Sequence, residues 1–181
     1  MTTLRRVTSD ELRPEEIEVL RALFAAAWGG GEECFSSTDW DHTFGGTHFL
    51  LEDEGRILTH ASVVPRHLVT GGVALPTGYV ESVATWPDRQ GQGHATAVMA
   101  EVDAHIDERF VLGALDTGRP SFYQRLGWIV WRGPTSVVSP SGGVTPTPYE
   151  DSSVMVRPTP ATPPLDLDAE LACDWRPGDA W

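Results

Sequence analysis

Cysteine is nearly absent. Cys34 and Cys173 are the only two among 181 residues, far apart and in no CxxC, HExxH or Cys/His cluster. This excludes a disulfide framework and a structural zinc site, and both thiols are expected to be inert. Long apolar runs are missing as well: none approaches the roughly 18 residues a membrane helix needs. The first twenty residues carry Arg5, Arg6, Asp10, Glu11, Arg13, Glu15 and Glu16, so neither a membrane span nor a signal peptide is expected. Positive charge is scarce, with 13 Lys and Arg against 26 Asp and Glu and a formal net charge of −13. Such a chain repels nucleic acid and anionic lipid, and attracts cationic ligands over about one Debye length, ~8 Å at physiological salt. Solubility is the plain reading of that acidity; it means more only where the acids gather around a site.

What is present fits one globular domain of a soluble, cytoplasmic protein: 181 residues with 40% apolar content can bury a sizeable core. An apolar start at Leu4 to Val7 precedes Pro14, Glu15 and Glu16, the first turn of a helix whose Ile17, Leu20, Phe24 and Ala27 share one face. "SSTDWDHTFGG" reads as a second, short capped helix that stops at Gly45 and Gly46. The stretch "HFLLEDEGRILTHASVVPRHLV" holds two apolar runs joined by hairpin chemistry at Glu52 to Gly55, with another turn at Gly71 and Gly72. "GYVESVATW" continues the meander as a further strand. From Gly93 the period changes, since Val98, Val102 and Ile106 recur every four residues as in a helix. "FVLGAL" reads as a buried strand, "PSFYQRLG" as a short helix closed by Gly127, and "WIVW" as another strand. Ser139 to Pro148 reads as a loop and "SSVMVRP" as the last strand. Hairpins followed by strand, helix, strand, helix predict an α/β sheet of mixed direction.

The order of elements narrows what "DRQGQGHATA", residues 88 to 97, can do. A Gly-containing turn from a strand into a helix aims free N–H groups outward at the positive end of the helix dipole, which suits phosphate. The P-loop pattern GxxxxGK[ST] is not met, because His94 and Ala95 follow Gly93; the dinucleotide pattern GxGxxG is not met after Gly91, Gln92 and Gly93 either. The pyrophosphate loop of the GNAT acetyltransferases, Gln or Arg, two residues, Gly, one residue, Gly or Ala, is matched by Gln90, Gly93 and Ala95. A lone GxG is often just a turn, so the context matters.

That context is supplied by "STDWDHTFGGTH", "GYVESVAT", "LGAL", "GWIVWRGPTSV" and "ELACDWRPGDAW", with which nearly the whole chain resembles the aminoglycoside 2'-N-acetyltransferase family of GNAT enzymes. The resemblance implies a mixed, mostly antiparallel sheet with one splayed pair of strands, flanked by helices. It implies a single domain over 1–181, with an acetyl-CoA half of roughly 1–115 and an acceptor half of roughly 116–181. It also implies acetyl-CoA as co-substrate without a metal, a polycationic aminoglycoside as acceptor, and a homodimer.

Acyl transfer to an amine needs a neutral amine, a stabilised oxyanion and a proton for the departing thiolate. The resemblance assigns the coenzyme to Val83, Ala84, Thr85 and the run Gln90, Gly91, Gln92, Gly93, His94 and Ala95, with the Val83 N–H polarising the thioester carbonyl. Glu81 matches the family's base, acting directly or through water, and Tyr123 its acid. Each has a second reading: Glu81 as an acid on the solvent face of its strand, Tyr123 as an aromatic packing on Phe122 or Trp128. Asp39, Trp40, Glu81, Glu150, Asp151, Asp179 and Trp181 are the candidate acceptor contacts, with Trp40 equally readable as core. Two tryptophans in the tail "CDWRPGDAW" suggest that it docks rather than frays. Cys34 stands where an acid is expected, and Glu32 or Glu33 could substitute. The six histidines show no metal spacing. Two other readings stand beside the first: a GNAT enzyme for another amine, such as a polyamine, a protein terminus or an endogenous amino sugar, and a non-catalytic acyl-CoA-binding module.

Overall fold

Strand alternation and tight glycine turns build the first half of the chain. A computed structural model describes residues 1–29 and 35–181; Glu32, Glu33 and Cys34 lie outside them. Strand β1 (Thr2–Thr8) pairs antiparallel with β2 (Thr47–Asp53), from Thr2↔Asp53 to Thr8↔Thr47. β2 pairs antiparallel with β3 (Arg56–Thr70) through a two-residue turn whose Glu54 and Gly55 both have positive φ, 49° and 78°. Such a turn matches the right-handed strand twist, as the hairpin expectation required. Gly71 and Gly72, at φ 57° and 76°, make the next turn into β4 (Val73–Thr85).

The chain divides into two compact units, Met1–Val64 with Val80–Ala104, and Pro65–Tyr79 with His105–Trp181. β3, β4 and α3 (His94–Arg109) each run from one into the other.

In the first unit, α1 (Pro14–Trp28) starts at Pro14, whose missing N–H costs nothing in the first turn. The Glu16 side chain accepts from the Arg13 N–H at 2.9 Å. Leu20, Leu23 and Phe24 turn inward and form a core with Leu12, Trp40, Leu50, Ile57 and Ala84, while Ile17 and Ala27 pack at its margin. α2 (Ser37–Thr43) carries a reciprocal cap: the Asp39 N–H donates to Ser36 Oγ at 3.1 Å, and the Ser36 N–H to Asp39 Oδ2 at 2.7 Å.

The second unit holds β5 (Leu112–Asp116), α4 (Pro120–Gln124), β6 (Ile129–Val130), β7 (Thr135–Val138), β8 (Val144–Pro146), β9 (Val154–Pro158) and β10 (Leu171–Asp174). Its strands run in the order β6-β9-β5-β4-β3-β10-β7-β8. The β4–β5 and β10–β7 ladders are parallel and β5–β9, β6–β9, β10–β3 and β7–β8 antiparallel. The parallel β4–β5 ladder covers only Thr77↔Leu112 to Tyr79↔Ala114, while β4 goes on to Thr85 and β5 to Asp116. This is the mixed sheet with a splayed strand pair and flanking helices.

Two expectations change. Ser139 to Pro148 is not all loop, because β8 lies inside it and pairs Ser136↔Pro146 through Val138↔Val144. Its Pro and Thr content hides it, and an edge strand is where proline is tolerated. Nor is β9 the last strand. β10 follows, four residues held from both sides by β3 and β7, too short to show alternation of its own.

Candidate active site

In the first unit the site begins where β4 stops behaving as a regular strand. Ser82 has φ +52°, a left-handed conformation in mid-strand. Glu81, Ser82 and Val83 are all half-buried, while Ala84 and Thr85 return to the interior. A residue twisted in this way re-aims its neighbours, as residues at bulges do. The twist is held on two sides: Ser82 Oγ lies 2.6 Å from Thr43 Oγ1 on α2, and the Ser82 carbonyl lies 2.8 Å from His60 Nδ1. Thr43 also donates to the Asp39 carbonyl at 3.0 Å, so α2 with Asp39 and Trp40 is tied to the β4 kink.

After β4 the chain makes a short turn and enters the Gly-rich loop. Gln90 Nε2 donates back to the Thr85 carbonyl at 3.2 Å, and Gln92 Nε2 to the Asp88 carbonyl at 3.4 Å. Gly91 and Gly93 have φ of 73° and 82°, which a side chain would strain. A Cβ at either would meet nothing within 4 Å, so these glycines serve conformation, not packing. The first helical bond is Ala97 N–H to the Gly93 carbonyl at 3.0 Å. The amides of His94, Ala95 and Thr96 therefore have no carbonyl one turn back within the helix. They sit at a helix end worth roughly half a positive charge. This donor set fits a diphosphate, and the Gln90–Thr85 bond links the two runs expected to hold a coenzyme, Val83 to Thr85 and Gln90 to Ala95. Thr85 Oγ1 is bonded to Thr59 Oγ1 at 3.0 Å.

Two candidates in this unit have structural partners. Trp40 is buried against Phe24 and Phe44, with ring centroids 5.7 and 4.8 Å away, and carries the Arg21 guanidinium 4.3 Å above it. Its core reading holds. Asp39 has one carboxylate oxygen engaged in the α2 cap.

In the second unit, Tyr123 is buried on α4, its ring edge-on to Phe122 and Trp128 at 4.9 and 6.2 Å. Burial pushes its hydroxyl up to about 12, so it keeps its proton at neutral pH. The packing reading is realised, and the protonated state an acid needs comes with it.

The carboxylates of this unit are drawn together by chain returns. Burial pushes the Glu150 carboxyl above its ordinary range, and Asp116 and Asp179 push it the same way. Burial likewise raises Asp116, with Asp179 contributing. Asp116 ends β5, and its Oδ1 is buried without a hydrogen-bond partner. Sequence reading passed over Asp116; an acid directly after the buried run "LGAL" was the available signal. Asp151 has a structural task, Oδ1 accepting from the Thr135 N–H and hydroxyl at 2.9 and 3.0 Å.

The tail docks. Trp181 is buried and its indole N–H donates to Thr147 Oγ1 at 2.9 Å. Arg176 reaches the Trp181 terminal oxygen at 2.7 Å and the Asp179 carbonyl at 2.9 Å. Arg66, itself buried, donates to the Ala180 carbonyl at 2.7 Å. A cavity of about 330 Å³ lined by His67, Val69, Val138, Ser139, Pro140, Asp174 and Trp175 contains none of the candidate residues. Burial raises the Cys173 thiol to about 11, in keeping with an inert role. Among the described residues, no helix is long and apolar enough to cross a membrane.

Known proteins align with these features. Residues 8–130 match the family model of the acetyltransferase (GNAT) domain. An aminoglycoside 2'-N-acetyltransferase of Mycolicibacterium fortuitum is 44% identical over 184 aligned positions, covering 99% of this chain and 92% of that one. The fold is similar to that of a GNAT family N-acetyltransferase, YhbS, from Escherichia coli in complex with CoA. There the TM-score is 0.63 and the identity 15%, over 95% of this chain and 89% of that one. A GNAT family acetyltransferase from Brucella melitensis in complex with acetyl-CoA gives a TM-score of 0.53 at 20% identity, over 71% of this chain and 82% of that one.

Proposed function

The chain belongs to the aminoglycoside 2'-N-acetyltransferase family of GNAT acetyltransferases, and on that premise we propose that it moves an acetyl group from acetyl-CoA to the 2'-amine of an aminoglycoside, conferring resistance. The observation that carries the reading is the loop from Gln90 to Ala95, with two left-handed glycines and, at the start of α3, amides that precede the first helical bond. Those amides hold the coenzyme diphosphate, and the main chain of Val83, Ala84 and Thr85 takes the pantetheine arm. The coenzyme supplies an activated acyl group.

This chain's own residues do the rest. The Val83 N–H polarises the thioester carbonyl; a backbone donor is fixed in place and needs no reorganisation. Glu81 takes a proton from the acceptor ammonium, directly or through one water, and Tyr123 returns a proton to the departing thiolate. Asp116, Glu150 and Asp179 favour a polycation: burial raises Asp116 and Glu150, the nearby Asp179 adds to the rise, and an ammonium among the three offsets it. Asp39, Asp151 and Trp181 are further acceptor contacts, and Trp40 takes the core role that its burial gives it. The working form is a cytoplasmic homodimer built from this single domain.

Thiol release from acetyl-CoA, measured with aminoglycosides that do or do not carry a 2'-amine, tests the proposal, with the product position fixed by NMR. Turnover only with the 2'-amine compounds is expected. Equal turnover of both sets, or faster turnover of polyamines, overturns it.

A further inference from the structure

A row of buried polar groups in the first unit has no part in the chemistry above. His60 Nδ1 lies 2.8 Å from the Ser82 carbonyl, and His60 Nε2 lies 2.9 Å from His48 Nδ1. His48 Nε2 lies 2.9 Å from Ser9 Oγ, which in turn accepts from the Gly45 N–H at 3.0 Å. Both rings are completely buried. Burial pushes His48 down to about 4 and His60 to about 3, so both are neutral at pH 7.

The proton positions then follow from one end. A carbonyl only accepts, so His60 carries its proton on Nδ1. Its Nε2 must therefore accept, which places the His48 proton on Nδ1 as well. His48 Nε2 is left to accept the Ser9 hydroxyl. Every donor in the row points the same way, from Gly45 through Ser9, His48 and His60 to β4.

At its end stands Ser82, whose φ of +52° is a left-handed conformation that residues bearing a Cβ avoid. A serine stays there only where its surroundings over-determine it. The His60 ring has little freedom to leave, being edge-on to Phe24 at 5.0 Å. Ser82 separates Glu81 from Val83, so whatever fixes its backbone fixes the directions of both. We propose that His60, with its tautomer set by His48, is a positioning residue for acetyl transfer, holding Ser82 left-handed so that the Glu81 carboxylate and the Val83 N–H stay aimed. This rests on the roles given above to Glu81 and Val83.

Two readouts test it on the whole chain. Ring 15N shifts at pH 7 should report an Nδ1–H on both His48 and His60; an Nε2–H on His60 overturns the proposal, and this measurement needs no variant. His60→Leu should lower kcat at least about tenfold, as small misplacements of reacting groups do, while the Kd for CoA stays within about threefold, since its phosphates are held further along the chain. His60→Asn keeps a side-chain N–H near the Nδ1 position and should restore most of the rate, which a merely space-filling histidine would not predict. His48→Leu, which removes the proton that fixes His60, should lower kcat in the same direction. A folded His60→Leu with kcat within about twofold of wild type overturns the proposal. Failure of the parent reading looks different: wild type then acetylates no 2'-amine, whatever the ring tautomers are.

Discussion

The indole N–H of Trp181 donates to Thr147 Oγ1 at 2.9 Å, so the last residue of the chain is held inside the second unit, only 4% exposed. Arg66 and Arg176 clamp the neighbouring carbonyls and stack over the Tyr79 ring at 4.8 and 5.5 Å. Asp179 is thereby carried to Asp116 and Glu150, where it raises both.

With the acceptor held as proposed, tail and acceptor are coupled. Trp181→Ala should cost about 3 kcal/mol of stability, as truncating a buried tryptophan does, read as a lower thermal midpoint. Asp179→Asn should leave that midpoint nearly unchanged and raise the acceptor KM about tenfold, an effect in the range of a lost charged hydrogen bond, without changing the KM for acetyl-CoA. An unaltered acceptor KM rejects the pocket. Added salt should raise the acceptor KM of wild type, and less so that of Asp179→Asn.

Proton transfer is separable from coenzyme binding. Glu81→Gln and Tyr123→Phe should each lower kcat about a hundredfold or more, the usual contribution of general acid–base groups. CoA affinity by calorimetry should stay within a few fold. Unchanged turnover in both variants would show that the two residues have been given the wrong work.

Gly93→Ala isolates the loop. Nothing lies within 4 Å of the added Cβ, so the cost comes from φ +82° alone. A left-handed alanine costs roughly 1–2 kcal/mol, enough to weaken CoA about tenfold if the loop relaxes. A Kd equal to wild type would mean that the amides do not grip the diphosphate.

Acid should unfold the first unit through its histidines. His48 and His60 have folded values of about 4 and about 3 against 6.5 when exposed, so the unfolded chain binds more protons between them. Stability therefore falls as pH drops from about 6.5 toward 4. Glu16 acts lower down: against the cost of its burial, bonds from Arg13 and the charge of Arg5 hold its carboxyl below 4.5, and that stability is lost as pH falls through its folded value. Denaturant unfolding at several pH values should show close to two protons taken up near pH 5. His48→Leu with His60→Leu should flatten that slope while leaving the part below pH 4.5.

Much of this was legible because it is local. The Gln90 to Ala95 loop, the capped helices and the two hairpins depend on residues within a few positions of one another, and glycine or a cap states its conformation directly. Tyr123 showed two readings in the sequence, and its packing on Phe122 and Trp128 is the one the ring contacts display. Ser82 was not legible, since no rule of propensity puts a serine at positive φ in mid-strand; His60, twenty-two residues earlier, holds it there. Asp116 needed Glu150 and Asp179 brought beside it before its carboxyl meant anything.

By itself the sequence determined where helices and turns begin, which face of α1 is apolar, and that a chain of net charge −13 favours cationic ligands. Only the tertiary structure decided which acids approach one another, that His48 and His60 lie within hydrogen-bond reach of each other, and that β8 and β10 are strands at all. Capping, periodicity and glycine conformation act over a turn or two of chain; burial and hydrogen bonding between distant segments exist only once the chain has folded back on itself.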